Sequence, residues 1–140
     1  MKNKFLAVAA FSGFFCIAFG AFASHALQKT LEPKALDWIA TGLQYQMFHT
    51  LALFGLGLFQ IANQSQNPPA CRAKAFNIIG GSWALGILLF SGSLYSLALV
   101  GAPWFVWSTP IGGVFFMIGW GALAYISLRN RFLNEPNSSF

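Results

Sequence analysis

Four long apolar runs, separated by short connections that contain polar residues, proline or glycine, account for most of the 140-residue chain. They occupy residues 5–23, 39–62, 76–100 and 111–128. A membrane-spanning helix needs about 20 mostly apolar residues, so each run is long enough for one crossing. The pattern predicts an all-α fold with one integral membrane domain, 1–140. Its four transmembrane helices form a bundle over about 5–27, 33–62, 70–100 and 110–128.

The first apolar run has two interpretations. Lys2 and Lys4 precede it and Ala21-Phe22-Ala23 lies at its end, an arrangement that also fits a signal peptide with an A-x-A cleavage site. The alternative is a retained first helix. We favour retention because the run is long for the apolar part of a signal peptide, and because four crossings gather the basic residues on one side.

The composition is that of a membrane protein. The chain is 56% hydrophobic and only 8% charged, whereas soluble domains are about 25% charged. In water, so many Phe, Leu and Trp side chains would form large exposed patches, but in a bilayer they can face lipid. The lipid bilayer is therefore the first predicted partner. The net charge of +5 does not indicate nucleic-acid binding, because no basic run interleaved with aromatics lies outside the apolar segments.

The distribution of Lys and Arg predicts the orientation. If four helices span, Lys29 and Lys34 lie on one side, in a connection that also holds Glu32 and Asp37. The other six basic residues lie on the opposite side: Lys2, Lys4, Arg72, Lys74, Arg129 and Arg131. Since cytoplasmic loops carry an excess of Lys and Arg, both termini are predicted to be cytoplasmic.

The second run carries polar side chains in its first half. At about 100° per residue, Gly42, Tyr45, Gln46 and His49 lie on one side of the helix and Gln44 points the opposite way. Such a stripe is expected to face protein or trapped water. Counting about 1.5 Å per residue places polar residues of the third run at a similar depth. The candidate polar cluster in the outer half of the bundle comprises His25, Tyr45, Gln46, His49, Ser91, Ser93 and Tyr95, with His25 nearest the outer surface.

Small residues in the runs indicate where helices approach closely. Cys16 and Gly20 are spaced small-xxx-small, as are Ser82 and Gly86, and such pairs allow neighbouring backbones to come near. The predicted helix-packing residues are Gly13, Cys16, Gly20, Gly42, Ser82, Gly86, Gly112 and Gly113.

Catalytic and cofactor chemistry find little support. The three acidic residues, Glu32, Asp37 and Glu135, lie outside the apolar runs, and no serine has a G-x-S-x-G context. No catalytic residue, cofactor or metal site is predicted, and Cys16 and Cys71 indicate neither a disulfide nor a zinc site. His25 and His49 are conceivable axial haem ligands, but their predicted depths differ by more than two helical turns.

Several stretches together resemble a known family. They are Gly20-Ala21-Phe22 with His25-Ala26-Leu27, Trp38 with Tyr45-Gln46 and His49, residues 89–95, and Thr109-Pro110-Ile111-Gly112-Gly113. This combination is similar to the YgdD-like family of small bacterial inner-membrane proteins, a family of unknown function with small transmembrane relatives in animals. Ala23-Ser24 stands where the family typically has Gly-Ala. The resemblance implies a four-helix protein of the bacterial inner membrane, and implies no activity, substrate or cofactor.

Three functional hypotheses follow. In the first, the protein is not an enzyme, and the polar cluster either holds the helices together or binds a small solute or lipid. In the second, His49 and its neighbours line a path in a transporter or channel subunit. Four short helices leave little room for a pore, so this hypothesis predicts a homo-oligomer. The third is a carrier of haem or another ligand.

Overall fold

The computed structural model describes residues 3–63 and 70–133. Lys2 and Glu135 lie outside this part of the chain, as do the side chains of Cys71, Arg72 and Arg131. The predicted all-α fold is confirmed, since the described residues contain helices and no strand. The helices are α1 (Lys4–His25), a 3₁₀ turn (Leu27–Lys29), α2 (Pro33–Ala62), α3 (Ala70–Gly86), a π-helical turn (Ile87–Ser91), α4 (Gly92–Val100) and α5 (Phe105–Leu133).

Local sequence explains where these helices begin and end. The Oδ1 atom of Asn3 caps α1 by accepting hydrogen bonds from the backbone N–H groups of Phe5 and Leu6, at 2.9 and 3.2 Å. Pro33 opens α2 at the first helical position, where its missing N–H costs nothing. Gly101 ends α4 with a φ of 68°, a left-handed conformation that glycine adopts without strain.

α3, the π-helical turn and α4 are continuous and are called the third rod. α2 and the third rod lie between α1 and α5 in the bundle. The third rod packs against α2, α1 packs mainly on α2, and α5 packs mainly on the third rod. In the most apolar 18-residue stretch of the third rod, 50% of the residues are buried, whereas the corresponding shares are 11% in the first helical stretch and 17% in α5. α1 and α5 therefore present most of their apolar surface outward, as helices that face lipid do.

Three helical stretches are long and apolar enough to cross a membrane: 4–29, 73–100 and 105–129. α2 has 30 residues, enough to span about 30 Å or more at 1.5 Å per residue, but it is not in this set. Gln44, Gln46 and His49 lower its hydropathy. Two of these three side chains, Gln46 and His49, are buried between helices, so lipid does not meet them.

Aromatic side chains packed on glycines form the contact between the third rod and α5. A Cβ atom added to Gly86 would meet the ring of Phe116, and one added to Gly119 would meet the indole of Trp83. At Gly112 the added atom would lie 2.8 Å from the Cα atom of Phe90. The absence of side chains at these glycines therefore sets how closely the two helices approach.

Three helix ends differ from the predicted ones, and one of them is the end of α5, which lies at Leu133 rather than at residue 128. α1 ends at His25 and is followed by the 3₁₀ turn rather than continuing to residue 27. α5 begins at Phe105, so that Thr109-Pro110 lies inside the helix instead of starting it. The first turn of α5 closes with tighter i→i−3 bonds, such as Val106 N to Pro103 O at 3.2 Å. Proline is tolerated inside membrane helices, where neighbouring groups compensate for the backbone hydrogen bond that it removes.

Candidate functional site

Gln46 lies at the centre of a buried hydrogen-bond network that joins three helices. Its side chain is 4% exposed. The Nε2 atom donates to Ser12 Oγ of α1 at 3.0 Å, and the Oε1 atom accepts a hydrogen bond from the Tyr95 hydroxyl of α4 at 2.8 Å. Ser12 Oγ also lies 2.6 Å from Thr50 Oγ1. Each polar group in this network has a protein partner, which is the arrangement that stabilises a bundle in lipid.

Ser91 and Gly42 form a second link between α2 and the third rod. Ser91 is fully buried at the end of the π-helical turn, and its hydroxyl donates to the Gly42 carbonyl at 2.8 Å. A Cβ atom at Gly42 would lie 2.6 Å from Cε1 of Tyr95. Gly42 therefore leaves space for the Tyr95 ring, which in turn reaches Gln46.

His49 belongs to a separate set of contacts on the α5 side of α2. Its Nδ1 atom lies 2.8 Å from the Tyr45 carbonyl, and its Nε2 atom lies 3.1 Å from Trp120 Nε1. An indole N–H can only donate, so Nε2 accepts and the proton of the neutral ring sits on Nδ1, where it donates to the carbonyl. The imidazole also stacks on the Phe116 ring, with centroids 3.6 Å apart.

This geometry bears on the haem hypothesis and on whether His49 is free to act as a general base. Both nitrogens of His49 already have partners, so a metal or substrate would have to displace Trp120 or break the bond to Tyr45. His25 ends α1 and is exposed. Among the residues that the structure describes, no three His, Cys, Asp or Glu side chains converge as metal ligands.

The predicted polar residues therefore lie in more than one place. Gln46, Ser91 and Tyr95 meet between α2 and the third rod. His49 faces α5, and Tyr45, which is 44% exposed, packs its ring on Phe90 at 4.6 Å. The remaining two are apart from both groups: Ser93 Oγ lies 2.7 Å from Thr109 Oγ1 of α5, and His25 is at the end of α1.

The predicted small residues lie at helix contacts of different closeness. A Cβ atom at Gly13 would be 3.7 Å from Thr50, and one at Gly20 would be 3.6 Å from Leu43, which are ordinary packing distances. The tight positions are Gly42, Gly86 and Gly112, whereas Gly113 has Phe90 no nearer than 3.9 Å. Ser82 is buried and Cys16 is half-buried.

Sequence reasoning missed several partners. Trp120 lies in an apolar run, where a tryptophan is indistinguishable from one that faces lipid, so nothing marks it as the donor to His49. Ser12 and Thr50 are short hydroxyl side chains whose pairing depends on how α1 is rotated. Asn3 precedes the first apolar run, and its Nδ2 atom donates to Gln60 Oε1 at 2.9 Å. Nothing in the sequence around Asn3 indicates that Gln60 is its partner.

An apolar groove opens on the side of the bundle, between the second half of α2, α3 and the second half of α5. Its volume is about 420 Å³. It forms because α5 follows the third rod while α2 diverges from it, so the two flanking helices leave a gap over α3. The lining residues are Ala52, Gly55, Leu56, Phe59, Phe76, Trp83, Trp120, Leu123, Ile126 and Ser127. Ser127 is the one polar residue of this lining apart from the two indoles, and its hydroxyl donates to the Leu123 carbonyl at 2.9 Å.

Comparison with known proteins gives a consistent result. The family described as "Protein of unknown function (DUF423)" matches residues 19–113. A UPF0382 membrane protein of Haemophilus influenzae is 50% identical over 133 residues, which are 95% of this chain and 100% of the relative. The UPF0382 inner membrane protein YgdD of Escherichia coli K12 is 42% identical over 92% of this chain and 93% of its own length. A UPF0382 membrane protein of Staphylococcus epidermidis is 34% identical over 89% of this chain and 95% of its own length. No solved structure matches.

Proposed function

Because this chain belongs to the UPF0382 (DUF423) family of small multi-pass proteins of the bacterial inner membrane, we propose that it is a non-enzymatic lipid-binding protein. In this proposal the buried polar residues hold the helices together, and a lipid acyl chain occupies the groove between α2, α3 and α5. The single observation that carries the proposal is the groove itself: about 420 Å³ of apolar space on the lateral surface of a membrane protein.

The proposal includes four crossings with both termini in the cytoplasm. α1, the third rod and α5 meet the length and hydropathy of a span. α2 joins the end of α1 to the start of α3 and is packed between helices, so its low hydropathy is compatible with a fourth crossing. Four crossings also place Lys4, Lys74 and Arg129 at one end of the bundle, called the basic end, which the positive-inside rule assigns to the cytoplasm.

A structural role for the polar residues follows from their pairing. Gln46, His49, Ser91 and Tyr95 all bond to protein groups, and none of these four lines the groove. A site for a polar solute would need donors or acceptors directed at open space, and a proton path would need a chain of such groups. The binding surface of the bundle is instead apolar, which suits an acyl chain.

Filling the groove tests the proposal. Gly55 lines the groove, and a Cβ atom added there would meet nothing within 4 Å, so Gly55→Leu directs a side chain into the groove from an open position. We expect the affinity for dioleoyl phosphatidylcholine, titrated into delipidated protein in detergent and followed by native mass spectrometry, to fall about tenfold or more. Displacing one aliphatic side chain's worth of apolar contact is worth about 1.5–3 kcal/mol, and 1.4 kcal/mol is tenfold.

The matched control for this change is Gly121→Leu. Gly121 is exposed on α5, lies outside the groove lining, and also has nothing within 4 Å of an added Cβ atom. Its variant should bind the lipid like the wild type, and both variants should keep the helical circular dichroism of the wild type. Equal affinity in Gly55→Leu and wild-type protein would contradict lipid binding in the groove.

A double-mutant cycle tests the structural role of His49. Trp120→Phe removes the indole donor to His49 Nε2, so His49→Ala and Trp120→Phe are expected to show a coupling energy of about 1 kcal/mol. His49 and Ser91 share no hydrogen-bond partner, so His49→Ala and Ser91→Ala should add within about 0.5 kcal/mol. The measurement is the free energy of unfolding in a detergent–SDS titration. Strong coupling of His49 to Ser91 would instead indicate a single polar site.

A further inference from the structure

Five exposed residues form a straight row along one side of α2, called the outer row. They are spaced alternately by three and four residues, like the a and d positions of a heptad repeat. The members are Gln44, Met47, Leu51, Phe54 and Leu58, and the four apolar ones are between 47% and 64% exposed. The groove lies on another side of α2, because Ala52 and Phe59 are about 100° around the axis from this row. The outer row is therefore a helix face that no other described helix covers.

Gln44 is the one polar residue of the outer row, and its position along α2 places it inside the hydrocarbon. α2 has 30 residues. It is therefore about 45 Å long, and in the four-crossing arrangement about 7 Å of it extends beyond the hydrocarbon core at each end. Gln44 follows Pro33 by 11 residues, which places it about 9 Å below the surface of that core. A glutamine side chain is shorter than the Lys and Arg side chains that reach the interface from within a bilayer.

The amide of Gln44 has no partner within this copy of the chain. None of the hydrogen bonds among residues 3–63 and 70–133 involves the Gln44 side chain, whereas Gln46, two residues further on, is bonded through both ends of its amide. Lipid tails offer neither an acceptor for its two N–H groups nor a donor for its carbonyl, so exposure to lipid is unfavourable. A favourable partner for this amide must therefore come from another molecule.

A second copy of the chain supplies that partner by symmetry. An amide carries both donors and an acceptor, so it can bond to an identical amide. Two copies in one membrane share one orientation, and a two-fold axis along the membrane normal brings the same residue of each copy to the same depth. Gln44 then meets its own counterpart, and the apolar residues of the outer row pack on theirs. A single polar residue among apolar a and d positions is also a device that fixes register in helix pairs.

We propose that the protein forms a parallel homodimer in which the outer rows of two copies pack together and the two Gln44 amides bond across the interface. The apolar residues supply van der Waals packing, and the amide pair fixes the register and favours the dimer over contact with lipid. The inference uses the four crossings of the proposed function but not the groove. If Gly55→Leu has no effect on lipid binding, the groove proposal fails and the dimer is unaffected.

Association of the purified full chain tests the amide pair. Sedimentation equilibrium in a density-matched nonionic detergent, at several ratios of protein to detergent, measures the monomer–dimer constant. We expect the wild type to dimerise and Gln44→Leu to weaken dimerisation about tenfold, the effect of losing hydrogen bonds between membrane helices. Gln44→Asn keeps an amide in the outer row and should stay within about threefold of the wild type. Unfolding of the dispersed monomer is a separate measurement, in which Gln44→Leu removes no contact.

Asn77→Leu is the matched control for this change. Asn77 also carries an exposed amide, but it lies on α3, away from the outer row. Its variant should dimerise like the wild type. Equal weakening in Gln44→Leu and Asn77→Leu, or none in Gln44→Leu, would overturn the assignment to Gln44. A wild-type chain that stays monomeric at the highest ratio of protein to detergent would overturn the dimer itself.

Cross-linking in membranes tests the packing of the outer row, in a background that carries Cys16→Ser and Cys71→Ser. Leu51 lies in the middle of the row, so Leu51→Cys should form a disulfide between copies on mild oxidation, because residues beside a two-fold axis come within bonding distance. Leu88 is equally exposed, at 69% against 64% for Leu51, but it lies on the third rod. Leu88→Cys should therefore remain uncross-linked. Equal cross-linking at the two positions would indicate random collision and would refute the interface on α2.

Discussion

Replacing Gly112 with alanine is expected to destabilise the bundle by about 3 kcal/mol, near the upper end of the cost of overpacking a protein core. The added Cβ atom would lie 2.8 Å from both the Cα and the Cβ atoms of Phe90, and it would be closer still to the Phe90 backbone nitrogen. A backbone cannot move aside as a flexible side chain can. The third rod and α5 would therefore have to separate, which would also disturb the Phe116–Gly86 and Trp83–Gly119 contacts.

The neighbouring residue provides the control. At Gly113 the nearest atom to an added Cβ would be Cδ2 of Phe90, at 3.9 Å, an ordinary contact distance. Alanine there should change the free energy of unfolding by less than about 1 kcal/mol, and the higher helix propensity of alanine favours a small gain. Unfolding of both variants in a detergent–SDS titration measures the difference. Similar stabilities for the two variants would mean that the third rod and α5 are not packed as closely as described.

Replacing Gln46 with leucine is expected to cost about 2 to 3 kcal/mol. Leucine has a similar volume, but it breaks the bonds to Ser12 and to the Tyr95 hydroxyl, and it leaves that hydroxyl buried without its acceptor. Hydrogen bonds between membrane helices are worth about 0.6 to 2 kcal/mol each, and the change removes two of them. The loss should appear as separation of α1 from α2 and α4 at a lower denaturant concentration than in the wild type.

Gln44→Leu is the matched control, because it makes the same substitution at an exposed position of the same helix. Gln44 lies two residues away on the same helix and is exposed on the other side, so leucine there should leave stability unchanged or slightly raise it by removing a polar group from lipid. The comparison is the difference in free energy of unfolding between Gln46→Leu and Gln44→Leu. A larger loss at Gln44 would show that the stripe on α2 faces the opposite way.

Periodicity predicts how α2 is rotated because residues on one side of a helix tend to share the same surroundings. Of the predicted stripe, Gly42, Gln46 and His49 are buried, and Gln44 is exposed, as about 100° per residue requires. Tyr45, the fourth residue of the stripe, is instead 44% exposed. The start of α2 can also be predicted from the sequence, since Pro33 marks it. The comparisons confirm the family resemblance that the sequence motifs indicate. The predicted location in the bacterial inner membrane agrees with the names of the relatives.

The hydrogen-bond partners of the polar side chains cannot be predicted from periodicity in the same way. Depth along the membrane normal suggests that His49 and Ser91 could meet, but depth does not specify which neighbouring helix a side chain faces. His49 faces Trp120 on α5, whereas Ser91 faces α2. A proline after a threonine can likewise lie at the start of a helix or inside one. At Thr109-Pro110 the helix begins about one turn earlier, where residues 105–107 bond to the loop before them.

The groove could not be predicted from the sequence for a related reason. It results from the divergence of α2 and α5, and its lining residues are apolar like those that face lipid elsewhere on the bundle. Nothing in the identity of Gly55 or Leu123 distinguishes them from other small or aliphatic residues in the same runs. Only the relative positions of the three helices separate a groove from a flat lipid-facing surface.

The wide turn at Ile87–Ser91 sets the rotation of the second half of the third rod. Its characteristic bond runs from the Gly92 N–H to the Ile87 carbonyl, five residues back, so the turn contains one residue more than an α-helical turn. Because the turn takes up that extra residue, every residue beyond it lies about 100° behind the angle that an unbroken α-helix of the same sequence would give it. In this arrangement Tyr95 points at α2, where its hydroxyl reaches Gln46. Converting the turn to a regular α-helix with no residue removed would rotate Tyr95 away from Gln46 without altering a single side chain of the network.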